Sequence, residues 1–381
     1  MTLAERAHRA LKAEMPPAIE LRHRLHAAPQ VSGTEQPTAA AVAAALGWGD
    51  GVTVADAGRL ISCSRGAVVL RAELDALPVV ERTGVPWAAT GPAMHACGHD
   101  VHLAACVAAA RAIASCAPDV PVAVLLQPRE ESAPSGAQDV VRSGALHHAG
   151  ARAIVAAHVQ PQLPPGVVGV RSGGINASVD EFEIVVRGHG GHAAYPHTVR
   201  DPVLAASAIV VALQQLVSRR VDPVRGAVCT IGRISAGTAA NVVPDEASLL
   251  GTLRLTDPRG RAELIKALHE IVESTAIAYG CTVEVTARSD EPALINDSVL
   301  AAAAALHLSE AGIPIDVDWR SFGSDDFSYY GAELPSLMAF VGVDGSGGLH
   351  DPRFLPPDET VELVAQVLIA CYLAAAALPP M

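Results

Sequence analysis

Four apolar runs constrain this chain most, because each leads into a side chain that can hold a cation. Residues 68–74 run into Asp75, residues 120–126 are followed by Glu130-Glu131, and residues 153–157 end at His158. Residues 337–343 lead to His350 across a glycine-rich loop. Short, largely apolar runs of this kind read as strands of a parallel sheet, buried on both faces. Helical patterns at 4–27, 35–46 and 102–116 surround them, which is the βαβ texture of an α/β fold. In open sheets of that class, sites form outside the carboxyl ends of the strands. Four chemically useful residues at four strand ends therefore point to one site.

A fifth segment adds to it. Met94-His95-Ala96-Cys97-Gly98-His99-Asp100-Val101-His102 places a thiol, three imidazoles and a carboxylate within nine residues. Thiolate, neutral imidazole and carboxylate are the ligand types that divalent zinc- and manganese-like ions accept. Cys97 and His99 stand two apart, so an extended backbone points both the same way. Taken alone, the segment also reads as a polar loop with a buried thiol, since no CxxC or HExxH spacing is present. Asp100 is expected to cap the helix that follows.

The texture changes near residue 172. Strand patterns at 181–187, 227–234, 247–255 and 281–287 alternate with helical patterns, one at 202–219 and one running from Asp257-Pro258 to just before Gly280. The order is β-α-β-β-α-β, the ferredoxin-like arrangement. It reads as an insertion, with the α/β domain resuming near residue 291. Gly188-His189-Gly190-Gly191-His192-Ala193 fits a dinucleotide fingerprint, but Pro196 follows too soon for the helix that motif requires.

Charge and composition narrow the partners. The net charge of −13 and the presence of only two lysines, Lys12 and Lys266, argue against nucleic acid or an anionic membrane surface. Aromatic residues, at 3%, are too few for base-stacking platforms. Seven scattered cysteines lack the pattern of a disulfide frame, which favours a reducing, cytoplasmic compartment. The charged N-terminus does not read as a signal peptide. The apolar run at 363–378 is interrupted by Gln366 and is expected to be a buried C-terminal helix rather than a membrane span.

The segments RAELDALPVVE, MHACGHDVH, QPREES, AAHVQP, GHGGHAAYPH, TAANVVP, FGSDDFSYY and GLHDPRF resemble the M20 metallopeptidases. The branch they resemble most is the amidohydrolase one, with hippurate hydrolase and the indole-acetyl-amino-acid hydrolases. The resemblance runs in family order from about residue 21 to residue 356. It implies a zinc-peptidase-like α/β catalytic domain over residues 1–172 and 290–381, with an inserted ferredoxin-like α+β lid or dimerisation domain at 173–289. It also implies two divalent metal ions per subunit, Mn²⁺, Zn²⁺, Co²⁺ or Ni²⁺, in a homodimer. Cys97 matches the bridging ligand, an Asp in other branches, and His99, Glu131, His158 and His350 match the remaining ligands. Glu130 matches the general base, and Asp75 the aspartate that orients a ligating imidazole. His192 and Asn241 match an oxyanion donor and a substrate-binding amide that reach a partner's site in family dimers. Arg254, on the polar side of its strand, is a candidate bidentate partner for a substrate carboxylate.

The implied activity is cleavage of the amide bond of N-acyl amino acids, or of similar small conjugates, by water activated between the metals. A dipeptidase or aminopeptidase of the same family is the alternative within the enzyme class. A non-catalytic small-molecule binding protein is the alternative outside it. Two positions depart from the pattern. Glu73 stands where the branch usually carries Asp and is read as structural. QPREES lacks the usual glycines after its paired glutamates.

Overall fold

The four apolar runs are the four central strands of one eight-stranded sheet in the computed structural model, which describes residues 1–345 and 347–379. In spatial order they are Val122–Gln127, Val68–Glu73, Ala153–Gln160 and Ser336–Gly342. Every residue in them is buried, and neighbours pair in parallel: Val68 with Val122 and with Ala153, Ser336 with Ile154. All four point the same way, so their carboxyl ends lie along one edge.

Helices Leu3–Ala27, His99–Ser115 and Glu359–Ala376 pack on one another and share a hydrophobic core with this sheet. Thr2 and Glu5 form a capping box at the start of the first helix. Gly98 caps the second with φ +81°, a conformation that disfavours any side chain. A Cβ there would also meet Val159 Cγ2 at 2.5 Å. The expected Asp100 cap does not form. Its carboxylate instead accepts from Arg22 Nε at 3.2 Å and His26 Nδ1 at 3.0 Å. Burial pushes that carboxyl up, and His26 and Arg22 outweigh it to hold it far below the ordinary carboxylate range.

Glu359–Ala376 and Pro202–Arg220 are long and apolar enough to cross a membrane by length and composition. Over its most apolar stretch the first is 67% buried and the second 33%. Val364, Leu368 and Ile369 enter the sheet core, and Ile209, Leu213 and Leu216 enter the core of the inserted unit.

The chain divides into two compact units. One comprises Met1–Gly173, Ile295–Arg320 and Asp326–Met381; the other comprises Gly174–Leu294 and Ser321–Asp325. In the second, Ala227–Ala236, Glu246–Leu255, Ser178–Arg187 and Thr282–Ser289 form an antiparallel sheet in that spatial order. Glu246–Leu255 alternates buried and half-exposed residues, as a sheet with one covered face requires. Helices Pro202–Arg220 and Arg261–Ala278 supply the cover. Asp201 caps the first, and Pro202 stands at its first position, where its missing N–H costs nothing. Asp257 instead caps a 3₁₀ turn, Pro258–Gly260, that precedes the second.

The segment Ser321–Asp325 was expected with the catalytic portion but groups with the inserted unit. Ser321 N–H donates to Ile175 at 2.9 Å, Ala177 N–H to Gly323 at 3.0 Å, and Arg254 Nη1 to the Phe322 carbonyl at 2.9 Å. No α-helix opens within the GxGxxA segment; a short 3₁₀ turn, Pro196–Thr198, follows it. Gly191–His192 is a short strand paired with Val242–Val243.

Candidate metal centre

The strand ends and the Cys97 loop converge. Cys97 Sγ and ring nitrogens of His99 and His158 lie within 4.8 Å of one another. So do ligand atoms of Cys97, Glu131 and His350, and a third set, His99, Glu130 and Glu131, meets the same limit. Cys97 is common to the first two sets. Within them, Cys97 Sγ lies 3.6 Å from His158 Nε2, and His350 Nε2 lies 3.4 Å from Glu131 Oε1. His99 Nε2 stands 3.8 Å from Glu130 Oε2 and 4.0 Å from Glu131 Oε1.

The residues fit cations, and two buried atoms say so directly. His99 Nε2 and Glu131 Oε1 are shielded from solvent and have no hydrogen-bond partner. An orphaned buried polar atom costs about 1–3 kcal/mol, so such atoms facing one another call for a common partner. For a set of thiol, imidazole and carboxylate, that partner is a divalent ion.

Each imidazole is turned toward this point by a bond on its far side. His99 Nδ1–H donates to the backbone carbonyl of Asp75 at 2.8 Å, and His158 Nδ1–H to that of Val159 at 2.7 Å. In both rings the Nε2 lone pair is left for the cluster. Asp75 was expected to orient an imidazole, and it does so through its main chain. Its carboxylate Oδ1 is 3.7 Å from His99, whereas Oδ2 accepts from Ser32 Oγ at 2.7 Å and from Glu131 N–H at 2.9 Å. Glu35, fully buried, accepts from Arg129 N–H at 2.8 Å. Two carboxylates thus grip alternate N–H groups of the loop that carries Glu130 and Glu131. Arg129 (φ 52°) and His350 (φ 70°) occupy the left-handed region, at a cost of roughly 1–2 kcal/mol each for side-chain-bearing residues. His350 is pinned by its N–H to Ala96 at 2.8 Å.

The electrostatics agree with a cation-binding role. Burial, with help from His102, pushes His158 down to about 3, so its ring stays neutral and its lone pair free. Burial and the nearby Glu131 and Glu130 push the Cys97 thiol well above its ordinary value. A thiolate there requires a cation beside it. Burial raises the Glu131 carboxyl, but the imidazoles of His350, 3.4 Å away, and His99 outweigh it and hold the carboxyl below its usual value.

The inserted unit's candidates look different. His192 and Asn241 are exposed on adjoining short segments. His192 Nδ1 accepts from Ala194 N–H at 3.1 Å, which leaves the ring proton on Nε2. The Asn241 carbonyl accepts from Ala193 N–H at 3.1 Å. Arg254 spends one Nη on Phe322, so part of its fork is engaged. Sequence reasoning missed Ser32 and Glu35. Glu35 sits just before a Gln-Pro helix start and so reads as a cap, but it makes no side-chain cap bond and turns to Arg129 instead.

Residues 69–374 match peptidase family M20/M25/M40. The chain is 35% identical over 306 residues to the N-acetyl-L-cysteine deacetylase of Bacillus subtilis, covering 80% of this chain and 73% of that protein. It is 32% identical over 367 residues to the N-acetyldiaminopimelate deacetylase of Halalkalibacterium halodurans, covering 93% and 98%. A solved structure from B. subtilis, described as a dinuclear metal binding peptidase from the M20 family, superposes with a TM-score of 0.82 at 30% identity, over 97% of this chain and all of that one. The chain belongs to peptidase family M20/M25/M40 and is a hydrolase of amide bonds.

Proposed function

We propose that this protein hydrolyses N-acyl amino acids to a carboxylic acid and an amino acid, with two divalent ions per chain. The observation that carries the reading is the pair of ligand sets sharing Cys97, with Glu130 alongside. Cys97, His99 and His158 would hold one ion, and Cys97, Glu131 and His350 the other. Divalent ions in such a pair lower the pKa of water and polarise a carbonyl.

The chain's own residues do the rest. The Glu130 carboxylate takes a proton from the attacking water and returns it to the leaving nitrogen. Glu131 stays ionised as a ligand, and adjacent residues divide these roles because their side chains point apart. Asp75 and Glu35 hold the loop that carries both. His192, with its Nε2–H exposed, donates to the oxyanion of the tetrahedral intermediate. Asn241 and the remaining arm of Arg254 hold the substrate amide and carboxylate. We place the completed site in a homodimer, with these groups offered by a chain's own inserted unit or its partner's. The seven cysteines are all free thiols, which supports a cytoplasmic setting, and the thiolate ligand favours zinc-like ions over harder ones.

The names of the relatives support the N-acyl class. The test loads the purified protein with Mn²⁺, Co²⁺ or Zn²⁺ and assays N-acetyl and N-benzoyl amino acids beside dipeptides. Turnover of the N-acyl compounds above the dipeptides is expected, with close to two metal equivalents by elemental analysis. Preference for dipeptides would overturn the substrate reading. A Cys97→Ser protein that kept two ions and full activity would overturn the shared ligand.

A further inference from the structure

We infer that Glu73 and His102 are positioning residues that set the ring of His158. The inference uses the ligand set proposed above but names residues outside it. The parallel pairing of Val68–Glu73 with Ala153–Gln160 ends at Leu70–Val155, although both strands run on. Beyond that point a side chain acts where a strand partner would. His102, on the helix His99–Ser115, accepts from Val159 N–H through Nε2 at 2.9 Å. Its Nδ1–H donates to Glu73 Oε2 at 2.9 Å. An imidazole that accepts at Nε2 must carry its proton on Nδ1, and the carboxylate of Glu73 selects that tautomer.

The same peptide segment holds the ligand. The carbonyl of Val159 accepts from His158 Nδ1–H at 2.7 Å, and His158 Nε2 then faces Cys97 Sγ at 3.6 Å. Moving Val159 therefore turns His158. The anchor is itself fixed. Glu73 Oε1 accepts from Arg71, whose other nitrogens reach Gln127 Oε1 at 2.8 Å and Asp326 Oδ1 at 2.7 Å. Glu73, Arg71, His102, Gln127 and Asp326 are all at most 1% exposed. Val159 also presses against Gly98, the residue between ligands Cys97 and His99. One residue, Val159, thus links the His158 ring to the backbone between the other two ligands of its set.

The experiment compares His102→Leu, which fills the space without an acceptor, with His102→Gln, whose amide oxygen can still accept from Val159. Apoprotein is titrated with Zn²⁺ against a competing chelator, and folding is checked by circular dichroism and melting temperature. In His102→Leu, affinity for one of two Zn²⁺ is expected to fall about 10–100-fold while the other holds, the usual effect of removing a partner behind a ligand. His102→Gln should recover most of it, and Glu73→Asp should weaken the same ion by a smaller factor.

A folded His102→Leu protein with parental affinity for both ions would overturn the inference, since a merely structural bond would lower melting temperature alone. A second measurement needs no variant. Nitrogen-15 spectra of the parent's imidazoles should show His102 and His158 both protonated at Nδ1, and His102 protonated at Nε2 would also overturn it. If the parent binds no Zn²⁺ at all, the proposed function falls, and the inference is decided by those spectra.

Discussion

The two units hold their candidate residues in opposite ways. In the α/β unit, Asp75, His99 and His158 are at most 5% exposed, and each is tied on the side away from the cluster. In the inserted unit, His192 and Asn241 lie in solvent, held by local bonds to neighbouring backbone. The first arrangement is a set of ligands built before anything binds, its desolvation offset by hydrogen bonds to fixed partners. The second has little local packing to hold one geometry, and it suits groups that engage only when a substrate is present.

The comparison can be broken most decisively at Glu130. Glu130→Gln should retain the metals yet lose about two to four orders of magnitude in turnover, the scale of a general base. Glu131→Gln should instead lose metal. Assays paired with elemental analysis separate the two, and a fully active Glu130→Gln would dissolve the division of labour inside the α/β unit.

On the exposed side, His192→Ala should lower kcat by about 10²–10³ with the metal content unchanged, as expected for one lost oxyanion donor. Mixing it with Glu130→Gln under verified subunit exchange sharpens the point. Recovered activity means that His192 serves a partner's site, and none means that it acts within its own chain or not at all.

A smaller effect tests the bracing of the glutamate loop. Glu35→Gln weakens the charge-assisted bond to Arg129 N–H and should cost about 1–3 kcal/mol of stability. The equivalent surface change Glu183→Gln, on a half-exposed strand of the inserted sheet, should be nearly silent in the same melting assay.

The last effect is in pH and appears only in acid. Burial pushes His95 down to about 3 from 6.5, and neither ring nitrogen has a hydrogen-bond partner. Below 6.5 the unfolded chain takes up a proton that the folded chain refuses, so this group's stabilising contribution is lost as pH falls from about 6.5 toward about 3. In metal-free protein, His95→Leu should remove that slope, about 1.4 kcal/mol per pH unit, relative to the parent. Equal acid slopes in denaturant titrations of the two proteins would contradict it.

Much of this was legible in the chain itself. Residues 68–74, 120–126, 153–157 and 337–343 read as buried parallel strands because a largely apolar run is a local property, and they are the central strands. The strand pattern at 181–187 likewise announced a half-buried strand, and its burial alternates accordingly. Cys97, His99, Glu131, His158 and His350 stood out because ligand chemistry resides in residue type and in position at a strand end. What only the tertiary structure decided is how those ligands are aimed. Ser32 meets Asp75, Glu35 meets Arg129, and Glu73 meets His102, across 43, 94 and 29 positions of chain. The Asp75 carbonyl rather than its carboxylate turns His99, and residues 321–325 join the inserted unit through bonds to Ile175 and Ala177. A residue's identity sets what it can donate or accept. Its partner is chosen by packing between distant segments, which no local pattern encodes.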